Sequence, residues 1–135
     1  MTQANVTFVQ SMYAAFSRGD IDTVIQACTP DIEWKSGGRK EDFPSFGVHK
    51  GPAEVRDFFR TVAELLEFSE FSPQEFYADR DTVVVLGRYD ATLRKNGNRA
   101  GSEWCHAFTF RGGKVEKFRE FTDTAAFKSA YCGTK

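Results

Sequence analysis

Cysteine is scarce in this sequence of 135 residues. Cys28, Cys105 and Cys132 make an odd count of three, widely spaced and without a C-x-x-C pair. That excludes a disulfide framework and predicts reduced thiols in a cytoplasmic protein, with Cys28 and Cys105 as small core residues rather than nucleophiles. Histidine is scarcer still. His49 and His106 are the two, far apart and outside any H-E-x-x-H pattern, so no metal site is expected. There is no glycine-rich nucleotide loop and no G-x-S-x-G elbow, and no cofactor is expected. Charge of either sign is not in excess: 18 Lys and Arg against 19 Asp and Glu leave a net charge of −1. Nothing is basic enough to track a phosphate backbone, which excludes nucleic acid as a partner. No apolar run approaches the roughly 20 residues of a membrane span. The polar start Met1-Thr2-Gln3-Ala4-Asn5 lacks the basic and apolar regions of a signal peptide, and none is expected.

Phenylalanine, by contrast, is abundant. Aromatic residues make up 15% of the chain, and 14 residues are Phe. Phe has no polar handle, so this excess points to a large core or a lined cavity. Hydrophobic residues at 41% and charged residues at 27% are ordinary for a globular protein. Residues 1–135 read as one domain, large enough to bury about two-thirds of its unfolded surface without metal or disulfide.

Periodicity orders the chain. Val6, Val9, Tyr13 and Phe16 are spaced for a helix from Asn5 to Ser17, ended at Arg18-Gly19. Asp20 caps a second helix carrying Ile21, Val24 and Ile25, which Pro30 ends. Asp31 to Ser36 alternates as a short strand, with Ile32 and Trp34 on one face. Gly37 to Gly51 reads as a loop, and a loop that long in a compact domain is more often functional than idle. Gly51-Pro52 starts a third helix with an apolar stripe from Val55 to Leu66. Strands follow at Phe68–Ala78, where Pro73 marks an edge or irregularity, and at Thr82–Arg94, Ser102–Phe110 and Lys114–Thr122. The turns between them are Asp79-Arg80-Asp81, Asn96-Gly97 and Arg111-Gly112-Gly113. The tail, Asp123 to Tyr131, reads either as a helical turn or as an extended arm. Helices followed by a strand meander give an α+β class.

Several pieces, in order, carry a family resemblance. They are Tyr13-Ala14-Ala15-Phe16 with Gly19-Asp20, Pro30-Asp31-Ile32-Glu33-Trp34, and His49-Lys50-Gly51-Pro52 with Val55 and Phe58-Phe59. Trp104 to Phe110, Gly113-Lys114-Val115, Phe118-Arg119-Glu120-Phe121 and Asp123 complete the set. The chain resembles the SnoaL-like polyketide cyclases of the nuclear transport factor 2-like, or ketosteroid isomerase-like, superfamily. The resemblance implies a cone-shaped α+β roll, in which a curved antiparallel sheet packs with three N-terminal helices. It also implies a pocket for a small apolar ligand at the open end and a homodimer through the sheet's outer face. Fold alone does not fix the reaction.

Loop length at Arg111-Gly112-Gly113 decides which side chains face that pocket. A two-residue loop would set Arg111 opposite Lys114, two like charges, so a three-residue loop is expected, pairing Phe110 with Lys114. His106 then pairs with Phe118 and Trp104 with Glu120, all on the face that matches the family's inner face. Alternation adds Tyr89, Ala91 and Leu93 from the preceding strand and Trp34 and Ser36 from the first. The inferred lining is Met12, Tyr13, Phe16, Trp34, Phe58, Tyr89, Trp104, His106, Phe108 and Glu120, with Phe46 and His49 near the mouth. An apolar pocket with a few polar groups is the usual form of a small-molecule site.

His106 is the candidate general acid or base, since a neutral imidazole amid aromatics is suited to proton transfer. A buried histidine satisfied by one hydrogen bond is the competing reading. Glu120, on the neighbouring strand, either orients His106 or has a raised pKa and acts itself; if the register slips by one it is an exposed strand residue. Asp20, Asp31 and Asp123 read as caps or turn residues.

The resemblance also shows departures. Ketosteroid isomerases place a carboxylate base where Ser36 stands, a first-helix tyrosine best matched by Met12, supporting tyrosines at Cys28 and Phe59, and a carboxyl donor at His106. Each chemical part is replaced, so steroid isomerisation by that route is not implied. Cyclases of the SnoaL type ask only for an acid/base and a shaped pocket, which His106 and Glu120 could supply. Two readings stand: a cofactor-independent isomerase, cyclase or lyase using His106, or a non-catalytic ligand-binding or dimerisation module of the same fold.

Overall fold

The computed structural model describes residues 2–133; the one-domain reading of 1–135 also takes in Met1, Thr134 and Lys135, which lie outside the described residues. The elements are α1 (Thr2–Ser17), α2 (Ile21–Gln26), β1 (Cys28–Ser36), β2 (Gly47–Lys50), α3 (Gly51–Leu65), β3 (Leu66–Asp79), β4 (Thr82–Leu93), β5 (Arg99–Arg111), β6 (Lys114–Phe121) and α4 (Thr124–Cys132). The six strands form one sheet in the order β2-β1-β6-β5-β4-β3. It is mostly antiparallel; β1 runs parallel to β6. This α+β architecture, a curved and unclosed sheet packed with helices, is the expected fold class.

Helix α1 buries Asn5, Val9, Met12 and Ala15, a stripe at helical spacing, and turns Tyr13 and Phe16 partly inward beside it. Asp20 caps α2: its carboxylate accepts from the Thr23 backbone N–H at 3.2 Å and the Thr23 hydroxyl at 2.6 Å. Pro30 does not end that helix. The helix stops at Gln26 and Pro30 lies inside β1, in the stretch where pairing with β6 is irregular and a missing N–H costs no ladder bond. Asp31, expected at a turn, lies in β1 and binds Arg111 at 2.7 Å and 3.1 Å.

The long loop is shorter than expected, because Gly47–Lys50 pairs with β1 as the sheet's edge strand. What remains of it enters the core. Phe43 is fully buried against Phe46, Phe127 and Tyr131. Pro73 sits in edge strand β3 at a register shift, as its missing N–H requires. The tail is helical: Asp123 caps α4 by accepting from the Ala126 N–H at 3.0 Å, and Phe127 and Ala130 pack inward.

The β5–β6 hairpin departs from the expected loop. Arg111 does pair with Lys114 across a two-residue Gly112-Gly113 loop, whose φ angles of 58° and 81° suit glycine. The like charges are offset locally. Arg111 binds Asp31 and Glu116, and Lys114 donates to the Gln26 carbonyl. A bulge then follows, with Glu116 as the extra residue between the Phe110–Val115 and Thr109–Lys117 pairs. Without it, the loop would bring Arg119 opposite His106. With it, Glu120 stands there and Phe118 faces Phe108. The expected faces are therefore right, while the expected partners are two residues out of register.

Phe43 offers a direct test of how much the loop supports the fold. Replacement by Ala should cost about 3–5 kcal/mol in urea unfolding, whereas Val48→Ala on the exposed edge should stay within about 0.5 kcal/mol.

Candidate functional site

Four strands and one helix bring the polar groups together. β5 carries His106 and β6 sets Glu120 directly opposite it. β1 lies parallel on the far side of β6 and supplies Ser36 opposite Glu120, β4 supplies Tyr89, and α1 supplies Tyr13. His106 Nε2 lies 2.9 Å from Glu120 Oε2, and His106 Nδ1 lies 2.8 Å from the Tyr13 hydroxyl. Ser36 donates to Glu120 Oε1 at 2.8 Å. The Tyr89 hydroxyl stands 3.4 Å from Glu120 Oε2 and 2.7 Å from the Thr122 hydroxyl.

Electrostatics fix the state of the carboxyl and the two phenols. Burial pushes the Glu120 carboxyl up, but the hydrogen bond and charge of His106, with help from Ser36 and Tyr89, outweigh it and hold the group below its usual range. Glu120 is thus a carboxylate that can only accept, and the reading of it as an acid with a raised pKa is corrected: its partners outweigh its burial. When the ring is neutral, its single proton sits on Nε2 facing Glu120, which leaves Nδ1 to accept from the Tyr13 O–H. Burial, with the Glu120 charge behind it, holds the Tyr13 phenol far above its ordinary value, so it stays protonated. The same two causes raise Tyr89, against the opposing effect of its hydrogen bond with Thr122.

These groups border a cavity of about 90 Å³. That is smaller than the cavity of about 150 Å³ that holds benzene, so a ring system needs the lining to move aside. That lining includes His106 and Glu120 together with Met12, Tyr13, Phe16 and Trp34. Phe46, Phe58, Tyr89 and Phe108 complete the set of sequence candidates found there.

Two candidates lie elsewhere. Trp104 packs behind His106, its ring centroid 3.8 Å from the imidazole, and does not line the cavity. His49 bonds the Ser45 carbonyl at 3.1 Å and leans on Phe58. Sequence reasoning missed Phe68 and Phe71; strict alternation would put residues three apart on opposite faces, but a bulge between them turns both inward. It also missed Phe43 and Phe127, which close one end from a loop and from α4. The resemblance matches the first-helix tyrosine position to Met12, yet the hydroxyl that reaches the site is that of Tyr13.

Among the described residues no group of His, Cys, Asp and Glu could hold a metal ion, and no helix is long and apolar enough to cross a membrane.

The lowered Glu120 value fixes a pH dependence. A carboxyl more acidic in the folded state stabilises the fold above its unfolded value, about 4.3, and that contribution is lost as pH falls through the folded value. Wild type should exceed Glu120→Gln by about 2 kcal/mol at pH 7. The gap should close in unfolding curves taken below about pH 4.

The family model for the SnoaL-like domain matches residues 9–118. No curated protein sequence matches the chain. Among solved structures, an NTF2-like protein from Burkholderia xenovorans LB400 is 32% identical, with 96% of this chain and 97% of that one covered at a TM-score of 0.87. An NTF2-like protein from Burkholderia thailandensis E264 is 29% identical, covering 98% and 99%, at a TM-score of 0.85. TerC, co-crystallised with polyporic acid, is 28% identical, covering 94% and 97%, at a TM-score of 0.79. By its sequence match and by the fold it shares with these proteins, the chain belongs to the SnoaL-like family of NTF2-like proteins.

Proposed function

We propose that this protein is a cofactor-independent acid–base catalyst, an isomerase, cyclase or lyase, for a small and largely apolar carbonyl compound. One observation carries the reading: both nitrogens of His106 are engaged, Nε2 by a carboxylate and Nδ1 by a tyrosine hydroxyl at the cavity. His106 therefore acts through Tyr13. A proton leaves the carbon beside the substrate carbonyl and passes to the Tyr13 oxygen, while the Tyr13 proton passes to Nδ1. The electron pair of the broken C–H bond moves onto the carbonyl oxygen as an enolate. The imidazolium so formed faces Glu120, which stays ionised and compensates its charge, and Tyr13 ends as a neutral phenol beside the new oxyanion. Return of the proton to another carbon completes an isomerisation; loss of a leaving group completes a lyase reaction.

The aromatic lining suits a flat apolar substrate, and the polar groups at one place in it suit a single reacting end. A relative of known structure with polyporic acid supports a small organic ligand for this fold at comparable similarity. A homodimer and a cytoplasmic location belong to the same proposal. Leu86, Cys105 and Phe121 are neighbours across the outer face of β4, β5 and β6, where a second copy would cover the exposed Leu86 and Phe121; light scattering reads the mass directly. A histidine satisfied on both sides also suits the second reading, a non-catalytic binding module.

Deuterium uptake at C1 of 2-tetralone in heavy water separates the two. The wild-type protein should speed it above buffer, His106→Gln should reduce that excess about a hundredfold, and Tyr13→Phe at least about tenfold. An excess rate that survives His106→Gln contradicts the assigned role, and no excess at saturating 2-tetralone favours the binding module.

A further inference from the structure

Trp104 is placed at some cost. It is 3% exposed, and its indole N–H is buried without a hydrogen-bond partner among the described residues. A leucine or phenylalanine would fill core space there without that loss. Its seat is also specially cut. Gly87 pairs with Trp104 across β4 and β5, and its inward position falls between Val85 and Tyr89. A Cβ at Gly87 would stand 2.4 Å from Trp104 Cζ2, 2.6 Å from Cη2 and 2.5 Å from the Ser72 carbonyl oxygen. No side chain fits at residue 87 while the indole lies where it does.

That seat lays the indole flat on the imidazole. The ring centroids of Trp104 and His106 are 3.8 Å apart and the planes 17° from parallel. Phe118 meets the imidazole edge-on at 4.8 Å. The ring plane is thus held by neighbours, and in that plane Nδ1 reaches Tyr13 and Nε2 reaches Glu120. An indole face beneath a cation attracts it through the ring quadrupole, most strongly where water is excluded.

We infer that Trp104, seated in the space Gly87 leaves, is a positioning residue for His106: it fixes the plane of the imidazole and stabilises its protonated form. The titratable groups on the inner side are Tyr13 from α1, Tyr89 from β4 and Glu120 from β6. Lys117 and Arg119 of β6 are exposed, and Arg88 of β4 is tied to Glu70 and Asp90. For turnover the inference rests on the relay through Tyr13; its effect on the ring can be read without any substrate.

Fluorinated tryptophans keep the shape of the indole and weaken its face. Incorporated in the whole protein, they also replace Trp34, which stacks on Phe118 rather than His106; a Trp34→Phe series removes even that. The readout is the pH midpoint at which His106 takes up its second proton, followed by NMR of the labelled ring. From unsubstituted to trifluorinated indole the midpoint should fall stepwise, about two- to fivefold in proton affinity. Gly87→Ala, which evicts the indole, should lower it as well and weaken the His106 Nε2–H signal of a carboxylate-bound proton. A midpoint unchanged across the fluorine series overturns the inference, and deuterium uptake still dependent on His106 would then leave the relay standing. A falling midpoint in a protein that exchanges no substrate proton upholds the inference while the relay fails.

Discussion

A carboxylate removed from water loses several kcal/mol of solvation, and only close, well-aimed partners compensate it. Glu120 sits in that position, with 13% of its side chain exposed, on the wall of a cavity lined mainly by aromatic residues. Its compensation comes from three directions: Ser36 from β1, His106 from β5 and, at longer range, Tyr89 from β4. Much of the architecture around the site follows from keeping these groups in reach. The parallel pairing of β1 with β6 sets Ser36 beside Glu120, and the antiparallel pairing of β5 with β6 sets His106 opposite it. A buried carboxylate orients one nitrogen of the imidazole and so leaves the other to the hydroxyl of Tyr13.

That arrangement depends on one extra residue. A strand shifted by a single position turns every side chain to the other face. The two-glycine loop by itself would have presented Arg119 to the interior and Glu120 to solvent. Glu116, inserted as a bulge, reverses the choice, and its own carboxylate helps neutralise Arg111 at the hairpin end. The same residue thus serves the turn, by relieving a like-charge pair, and the site, by turning β6 inward at Glu120.

The sequence made much of this legible, and the limits have physical causes. Helical spacing and alternation located the three N-terminal helices and the strand meander, because burial of one face imposes those periods. Alternation grouped the side chains of β4 and β5 by face, and the family resemblance told which face is inward. What escaped were the places where a period is broken. Glu116 and the bulge between Phe68 and Phe71 leave no mark in a pattern of apolar residues, so the partners of His106 and the inward turn of both phenylalanines were not readable. Cross-strand repulsion was a sound ground for rejecting the two-residue loop, yet Asp31, distant in sequence, removes it. Tyr13 was placed in the pocket by its spacing, but its bond to His106 joins residues 93 positions apart and is set by how α1 lies on the sheet. Fold class was therefore clear from local pattern, and the chemistry of the site was not.

The central claim is a state of one ring: neutral His106 with its proton on Nε2 toward Glu120 and its Nδ1 accepting from Tyr13. With only His49 and His106 in the chain, a His49→Gln protein gives a single set of imidazole nitrogen resonances. Nitrogen-15 NMR of that protein at neutral pH should show a protonated Nε2 and a bare Nδ1, with Nδ1 losing its hydrogen-bond shift in Tyr13→Phe. Protons on both nitrogens, a proton on Nδ1 with a bare Nε2, or nitrogens averaged between the two tautomers would contradict the account.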